Sequence, residues 1–301
     1  MRFRYRRYYL YYLGRTLAFI ISILPLKTGL YIAKVLGDIA FLAAGKYRKI
    51  AVENLRLAFG NEKTEAEIRD IAKRVFENLA RNAVELVNFP KINKDNIDEL
   101  VEFRNREILD KELRKGNGVI VLTAHFGNWE LLSGTLRIKD YAGVAIGRRI
   151  YFDKYDKYLN SLRKIQDVNI IYRDESPRKV LKVLKSNGIV GILADQDVDS
   201  VEGVFVNFFN APAYTPIGPV ALAKASGASI VPLFIIREGA RHILTVEKPI
   251  ELVETEDKSA DMVNNTQAWS RIVESYIRRY PDHWVWVHRR WKTGEKPQSH
   301  G

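Results

Sequence analysis

GVIVLTAHFGNWELL, residues 118 to 132, begins as a continuous apolar run and then presents a histidine, an asparagine and a glutamate. On one continuous helix, the spacing of His125 and Glu130 would set their side chains about 140° apart. The two side chains converge only if His125 lies on a turn and Glu130 lies in the first turn of the next helix. Gly127 and Asn128 favour such a turn, because glycine permits unusual dihedrals and asparagine is a preferred helix cap. The stretch therefore predicts a strand, a bend and a helix at the carboxyl edge of a sheet, where open α/β sheets bind ligands.

The chain changes its pattern near residue 115. After that point, short β-rich runs alternate with helical segments, which predicts an α/β fold with a mixed, largely parallel sheet and helices on both faces. The predicted strands cover residues 119–122, 143–146, 169–172, 189–193, 230–236 and 243–246, and the predicted helices cover residues 129–138, 153–166, 177–186, 216–226 and 260–280.

Helices are also predicted for the earlier part of the chain, with breaks near Pro25 and Gly45. The strongest amphipathic pattern spans residues 64 to 89, where apolar residues recur at helical spacing. Thr64 and Glu67 form the sequence of a capping box at its start. We therefore expect one long amphipathic helix ahead of the predicted sheet.

The N-terminus combines basic, aromatic and apolar residues in the order typical of a membrane anchor that starts on the cytoplasmic side. Its apolar run, residues 17 to 26, has about half the ~20 residues that a clean membrane span needs. A longer span would include Arg15, which is costly at the bilayer centre. The alternative is a core helix with a basic tail; we favour membrane attachment and leave spanning and interfacial anchors open. The run follows a basic and tyrosine-rich cluster: Arg2, Arg4, Arg6, Arg7, Tyr8, Tyr9, Tyr11 and Tyr12.

The length and composition set wider bounds. The 301 residues suffice for one large domain with a helical appendage, so we expect N-terminal membrane-anchor helices in residues 1–45 and a catalytic domain in residues 46–301 that includes a helical lead-in at 46–115. Lys and Arg exceed Asp and Glu by twelve (48 minus 36), which favours acidic partners such as nucleic acid, anionic lipid or an acidic carrier protein. The chain has no cysteine, which excludes disulfides, thiolate metal sites and a cysteine nucleophile.

Few residues of the chain qualify for acid–base chemistry. The sequence contains no G-x-S-x-G elbow, no H-E-x-x-H and no glycine-rich nucleotide loop. Of its five histidines, His125 is the best placed general base at neutral pH. A structural histidine after a strand is the alternative, but Glu130 within reach and Asn128 between the two favour a functional role.

Two further polar groups stand out. Asp195 and Asp197 follow another apolar run; without a supporting histidine they are weak evidence for a metal. We therefore expect neither a metal nor a cofactor, and we favour a hydrogen-bonding role over an exposed turn. Arg148, Arg149 and Arg163 form a third group that suits a phosphate or the thioester end of a substrate.

Four sequence blocks, in the same order, closely resemble the bacterial lipid A biosynthesis (lauroyl/myristoyl) acyltransferases: TAHFGNWE, ILADQDV, GVFVNFFNAPAYTPIGPVALAKASGASIVPLF and HWVWVHRRWK. Residues 125 to 130 fit the H-x-x-x-x-[D/E] signature of glycerolipid-type acyltransferases. The resemblance covers nearly the whole chain. It implies that His125 and Glu130 are the catalytic pair, that Arg163 lies near the reaction centre, and that Asp195 belongs to a second acidic motif.

This resemblance implies a membrane-associated O-acyltransferase on the cytoplasmic face of the bacterial inner membrane. The donor would be an acyl carrier protein or CoA thioester, and the acceptor a hydroxyl of a lipid A precursor or similar glycolipid at an anionic lipid surface. Direct attack fits the residues present: His125 takes the hydroxyl proton, Glu130 fixes its tautomer, and backbone amides at 127–129 or an arginine stabilise the oxyanion. We expect Phe205, Phe208 and Phe209 to line the acyl groove or, equally, to be ordinary core.

Three alternatives stay open at this point. A phosphatidylinositol-mannoside-type acyltransferase that uses acyl-CoA is similar enough to compete. A non-enzymatic basic protein that binds membrane or nucleic acid would explain the charge but not the His–Glu turn, and we expect no nucleic acid partner. A hydrolase of the same fold would need water in place of the acceptor hydroxyl.

Overall fold

A computed structural model describes residues 2–294 of the chain; His300 lies outside the described residues. The first four helices are α1 (Arg2–Ile23), α2 (Leu26–Ala43), α3 (Gly45–Phe59) and α4 (Glu65–Val87). Their ends confirm the predicted breaks near Pro25 and Gly45. The capping box is also confirmed, because the Thr64 hydroxyl accepts a hydrogen bond from the Glu67 amide and the Glu67 carboxylate accepts one from the Thr64 amide.

Short helices and strands alternate through the rest of the described chain. The helices are α5 (Ile97–Leu100), α6 (Arg106–Leu113), α7 (Trp129–Ile138), α8 (Asp153–Ile165), α9 (Pro177–Lys185), α10 (Gly218–Ser226) and α11 (Lys258–Arg279). The strands are β1 (Val101–Arg104), β2 (Val119–Thr123), β3 (Gly143–Gly147), β4 (Asn169–Tyr172), β5 (Ile189–Leu193), β6 (Gly203–Phe208), β7 (Ala211–Pro216), β8 (Ser229–Glu238) and β9 (Arg241–Val246).

Seven strands form one sheet in the order β1-β9-β8-β2-β5-β3-β4. Neighbouring strands are parallel except β8 and β9, which pair antiparallel. The mixed, largely parallel sheet is therefore confirmed, and every predicted strand lies in it. Strand β1 and the separate antiparallel hairpin of β6 and β7 were not predicted.

Helices cover both faces of the sheet, as predicted. The central strand β2 is buried on both sides, so its successive residues point into two different hydrophobic clusters. Ile120 and Leu122 pack with residues of α3, α4, α9, α10 and α11, whereas Val119 and Val121 pack with residues of α5, α6 and α7. Packing on both faces of the sheet fixes the ends of β2 and its neighbour β5, and the candidate site lies beyond those ends.

The N-terminal helices rest on the domain through two different kinds of contact. Helix α2 approaches α4 so closely at Gly37 that an added Cβ would lie 2.5 Å from the Cα of Glu77. Helix α1 lies along α8 through aromatic and cationic side chains; Tyr11 packs edge-on against Tyr155, and the Arg15 guanidinium lies 4.1 Å from the ring centroid of Tyr158. The division of the chain near residue 45 stays a prediction.

Within residues 2 to 294, no single helix combines the length and apolar character required to cross a membrane. Helices α2 and α3 meet those criteria only when taken together, and they meet at a bend of 90°.

Candidate active site

A cleft of about 600 Å³ opens at the carboxyl ends of β2, β3, β4 and β5. Its walls come from α7, α8 and the segments that follow these strands, together with part of the C-terminal segment, residues 283–294. The structure brings five of the predicted site residues to this cleft: His125, Glu130, Arg148, Arg163 and Asp197.

The turn that carries His125 depends on one glycine. Gly127 has a φ of 57°, and an added Cβ there would lie 1.7 Å from the carbonyl oxygen of Ile235 on β8. A residue with a side chain therefore fits neither the backbone conformation nor the space. Asn128 then caps α7, since its side-chain oxygen accepts a hydrogen bond from the Leu131 amide at 3.0 Å. The predicted bend and helix start are confirmed.

His125 is held by Asp195. The Nδ1 atom of His125 lies 2.8 Å from Oδ1 of Asp195, and the His125 amide donates to Oδ2 of the same carboxylate at 3.0 Å. Trp284 donates its indole N–H to that Oδ2 at 2.7 Å. The carboxylate is fully buried, whereas 26% of the His125 side chain is exposed. Nδ1 is therefore engaged, and Nε2 is the ring nitrogen that is left for a substrate in the cleft.

These contacts keep the Asp195 carboxyl ionised. Burial by itself would raise its pKa, but the His125 ring, the Trp284 indole and the His125 amide outweigh burial and hold the pKa of Asp195 below its usual range. A buried carboxylate bonded to Nδ1 selects the tautomer in which Nε2 carries the lone pair. The arrangement suits a general base that accepts a proton at Nε2.

Glu130 has a different partner from the one the sequence suggested. Its carboxylate accepts two hydrogen bonds from Arg163, one from Nε at 2.8 Å and one from Nη2 at 2.5 Å. The His125 ring is therefore contacted by Asp195 and not, as the sequence suggested, by Glu130. The reason is strand order: Asp195 follows β5, which pairs with β2 directly beside His125. Glu130 instead joins α7 to α8 across the cleft wall.

A buried ionic network lies beneath the His125 turn. Glu85 of α4 accepts hydrogen bonds from Arg237 on β8 and, at 2.6 Å, from the Asn128 side chain. Its carboxylate also pairs with Nε2 of His242 at 2.9 Å. Burial would raise the pKa of Glu85, but His242 and Arg237 outweigh it and lower that pKa to about 2. Burial lowers the pKa of His242 despite the neighbouring Glu85. The Arg237 guanidinium forms a buried ion pair with the Glu85 carboxylate. The network positions Asn128 and hence the start of α7.

The C-terminal segment completes the site, and sequence reasoning missed its role. Besides Trp284, Thr293 donates its amide and hydroxyl to the buried Asp197 carboxylate at 2.8 Å and 2.7 Å. His288 lines the cleft, and burial lowers its pKa. The segment also fixes the turn, because the Gly127 amide donates to the His283 carbonyl at 2.8 Å. That amide is therefore unavailable to an oxyanion. The block HWVWVHRRWK was the only sequence signal for this segment.

The remaining predicted residues lie in four environments. Arg148 is exposed at the mouth of the cleft. Arg149 is not among the cleft residues; it lies over the Tyr172 ring at 4.0 Å and pairs with Asp174. Phe208 and Phe209 are core residues, each 2% exposed, and Phe205 packs against Tyr214 in the β6–β7 hairpin. None of these three rings lines the cleft described above, and their place in an acyl groove stays a prediction.

Comparison with known proteins identifies the family of this chain. The family model described as bacterial lipid A biosynthesis acyltransferase matches residues 1–293. The chain is 25% identical over 290 residues to the lipid A biosynthesis lauroyltransferase of Escherichia coli (strain K12), which covers 95% of this chain and 92% of that protein. It is 24% identical over 294 residues to the lipid A biosynthesis myristoyltransferase of the same organism, with coverage of 97% and 89%.

A third relative is the phosphatidylinositol mannoside acyltransferase of Mycobacterium tuberculosis (strain ATCC 25618 / H37Rv), which is 24% identical over 222 residues, 71% of this chain and 68% of that protein. All three relatives are named as acyl-transferring enzymes, so the alternative of a non-enzymatic binding protein is wrong. The chain belongs to the bacterial lipid A biosynthesis acyltransferase family and is an acyltransferase.

Proposed function

We propose that this acyltransferase moves a fatty acyl chain from an acyl carrier protein thioester, or a CoA thioester, to a hydroxyl of a lipid A precursor or similar glycolipid. The observation that carries the proposal is the hydrogen-bonded series Trp284–Asp195–His125 at the wall of a large polar cleft. It supplies a base with a defined tautomer and an open nitrogen, which acyl transfer to an alcohol requires.

In the proposed reaction, Nε2 of His125 takes the proton of the acceptor hydroxyl as the oxygen attacks the thioester carbonyl. The new C–O bond forms, the carbonyl electrons move to oxygen, and the imidazolium is stabilised by the Asp195 carboxylate. The tetrahedral intermediate then collapses, the C–S bond breaks, and the imidazolium returns its proton to the leaving thiolate. His125 ends neutral, so no covalent acyl-enzyme and no outside proton donor are needed.

Glu130 and Arg163 act together in this proposal. Both line the cleft, and the two hydrogen bonds between them hold the Arg163 guanidinium in a fixed plane. An oriented cation in a partly buried site suits the negative charge that develops on the thioester oxygen. Glu130 is then essential as the residue that positions Arg163, and Arg163 takes the place of the Gly127 amide, which is bonded to the His283 carbonyl.

The acceptor has a second candidate class. The similarity to phosphatidylinositol mannoside acyltransferases covers 71% of this chain, against 95% for the lauroyltransferase. The longer match favours a lipid A precursor as the acceptor, and a mannoside acceptor with acyl-CoA as the donor is the alternative. The net charge of +12 suits either an acidic carrier protein or an anionic lipid surface.

Membrane association on the cytoplasmic face of the inner membrane is part of the same proposal. Helices α1 and α2 turn many apolar side chains to solvent, among them Phe19 and Ile23, each 66% exposed, and Tyr31 and Leu42, each 71% exposed. An apolar surface of this kind beside basic and tyrosine residues is typical of an interfacial membrane contact. It would bring a lipid acceptor and the catalytic domain to the same surface.

The test is an acyl-transfer assay with purified enzyme, a carrier-protein thioester, and the glycolipid acceptor present or absent. We expect His125→Ala to lower transfer by at least ~10²-fold, as for loss of a positioned general base. Asp195→Asn keeps the size of the side chain but replaces one carboxylate oxygen with an NH2 group, which cannot accept the hydrogen bond from Nδ1–H of His125. We expect a similar loss of transfer. The matched control is Asp174→Asn, because Asp174 is exposed and lies outside the cleft.

Circular dichroism and thermal unfolding establish that each variant is folded. Near wild-type turnover in folded His125→Ala would refute the mechanism. Release of thiol at the same rate without acceptor would favour the hydrolase alternative, and transfer from acyl-CoA to a mannoside but not from the carrier protein would favour the second acceptor class.

A further inference from the structure

The ends of β3 and β4 place two arginines side by side at the cleft. Gly147 and Tyr172 are the last residues of these parallel strands, and they are partners in the sheet register. The next residue on each strand is an arginine, Arg148 and Arg173. The Arg173 amide donates to the Gly147 carbonyl at 2.9 Å, so the two backbones stay paired as they leave the sheet.

Both side chains reach the same cleft, since Arg148 and Arg173 are among the residues that line it. Backbones of neighbouring strands lie about 4.8 Å apart, a spacing that brings two guanidinium groups within reach of one small anion. Like charges on adjacent strands repel each other. Repulsion between the two guanidinium groups therefore lowers the stability of the folded protein unless an anion lies between them.

The acidic groups near this pair are already engaged. Glu130 is bonded to Arg163, Asp199 pairs with Lys292 at 3.1 Å, and Asp174 pairs with Arg149. The buried Asp197 carboxylate accepts two hydrogen bonds from Thr293. In the part of the chain that the structure describes, the Arg173 side chain makes a single hydrogen bond, to the Ser200 hydroxyl at 3.4 Å. Within residues 2 to 294, neither Arg148 nor Arg173 forms an ion pair.

We propose that Arg148 and Arg173 form a subsite for a phosphate ester carried by one of the two substrates. Arginine suits this ligand because its planar donors match phosphate oxygens in pairs. The inference rests on the proposed function, which supplies two phosphate-bearing molecules: the phosphopantetheine arm of the donor and a phosphorylated sugar of the acceptor. The subsite would hold that phosphate at the open end of the cleft while His125 and Arg163 act at the reacting carbon.

Steady-state kinetics with matched substrates test the subsite and identify the source of the phosphate. One pair of donors is acyl-phosphopantetheine and acyl-pantetheine; one pair of acceptors is the glycolipid with and without its sugar phosphate. For the substrate whose phosphate is bound, we expect Arg148→Ala and Arg173→Ala each to lower kcat/KM by roughly 10- to 100-fold, the loss typical of a hydrogen bond to a charged group. With the phosphate-free form of that substrate, the variants should match the wild type.

Arg149→Ala is the control, because it removes the same side chain one position away but outside the cleft. It should leave kcat/KM unchanged for every substrate. Equal losses with and without phosphate in both substrate pairs, or no loss in either pair, would overturn the subsite.

A binding measurement separates this inference from the proposed function. Calorimetric titration of phosphopantetheine and of glucosamine phosphate into the wild type and the variants needs no turnover. Weaker binding of one probe by Arg148→Ala and Arg173→Ala, but not by Arg149→Ala, supports the subsite even if no acyl transfer is seen. Binding of both probes that is unchanged in the variants counts against it, whatever the wild-type activity.

Discussion

The Glu85 carboxylate supports the turn that carries His125 through its hydrogen bond with the Asn128 side chain. It is fully buried and bonds at once to Arg237, His242 and the Asn128 cap. We expect Glu85→Gln to lower the free energy of unfolding by about 3 to 5 kcal/mol, because it leaves the buried Arg237 charge without a counter-charge. Urea unfolding at neutral pH measures the change. Glu53→Gln, in an exposed pair with Lys49, is the control and should change little.

The same residue sets a pH dependence of stability. The pKa of Glu85 falls from its ordinary 4.5 to about 2 on folding, so the unfolded chain binds its proton first as the solution is acidified. The stabilisation is present in full above about pH 4.5 and is lost as pH falls toward 2. The wild type should lose stability across that window more steeply than Glu85→Gln. Parallel pH profiles for the two proteins would contradict this assignment.

The pair Glu130–Arg163 acts at the level of two elements, since it joins α7 to α8 along the cleft wall. Arg163→Lys keeps the positive charge but loses the planar fork that meets both carboxylate oxygens. We expect transfer to fall by about tenfold or more, corresponding to a charge-assisted hydrogen bond. Measured kcat and KM for the thioester report the change.

Arg137→Lys provides the control for Arg163→Lys. Arg137 lies on α7, as Glu130 does, and pairs with Asp167 just after α8, but it is not among the residues of the cleft. It should leave kcat and KM close to wild type. If Arg163→Lys did the same, the Glu130–Arg163 pair would be structural only.

The sequence predicted the elements whose pattern is local. Strand β2 is a run of five apolar or β-branched residues, and the Thr64 capping box marks the start of α4 directly. Strand β1 was missed because VEFR is short and alternates polar with apolar residues. The β6–β7 hairpin was missed because its two-residue turn is Phe209–Asn210, with φ of 53° and 57°, rather than the Asn-Gly that signals such turns.

The sequence predicted those parts of the site that depend on residues close together in the chain, and it did not predict contacts between distant residues. Both His125 and Asp195 were placed after strands, and therefore at one edge of a sheet. Their contact depends on β2 and β5 being neighbours, which no pattern within either strand encodes. The sequence thus offered Glu130, five positions along the chain, as the partner of His125. Trp284 lies 89 positions from Asp195, and nothing local marks it as a hydrogen-bond donor to that carboxylate.

For the whole molecule, the proposed membrane contact is tested by where the protein fractionates. Deleting residues 1 to 26 should move it from the membrane fraction toward the soluble fraction. A milder variant keeps the contacts of α1 with α8 and replaces only the exposed Leu13, Phe19 and Ile23 with Glu. It should shift in the same direction, since charges on an interfacial face oppose insertion.

Val253→Glu is the control for these membrane variants, because Val253 is also an exposed apolar residue but lies far along the chain, after β9. It should fractionate like the wild type. A full-length protein that is already soluble without detergent would show that the apolar faces of α1 and α2 serve another purpose.

The position of Trp284 and Thr293 in the chain also governs when the site exists during synthesis. A ribosome makes α1 and α2 before it makes the segment that carries Trp284 and Thr293. A nascent chain that has not reached Trp284 lacks the indole donor on Asp195, and one that has not reached Thr293 leaves the Asp197 carboxylate without either of its hydrogen-bond donors. On the proposed membrane association, the exposed apolar side chains of α1 and α2 are made before the cleft is complete. The protein can therefore bind a lipid surface before it is able to transfer an acyl chain. This order follows from the order in which the chain is translated.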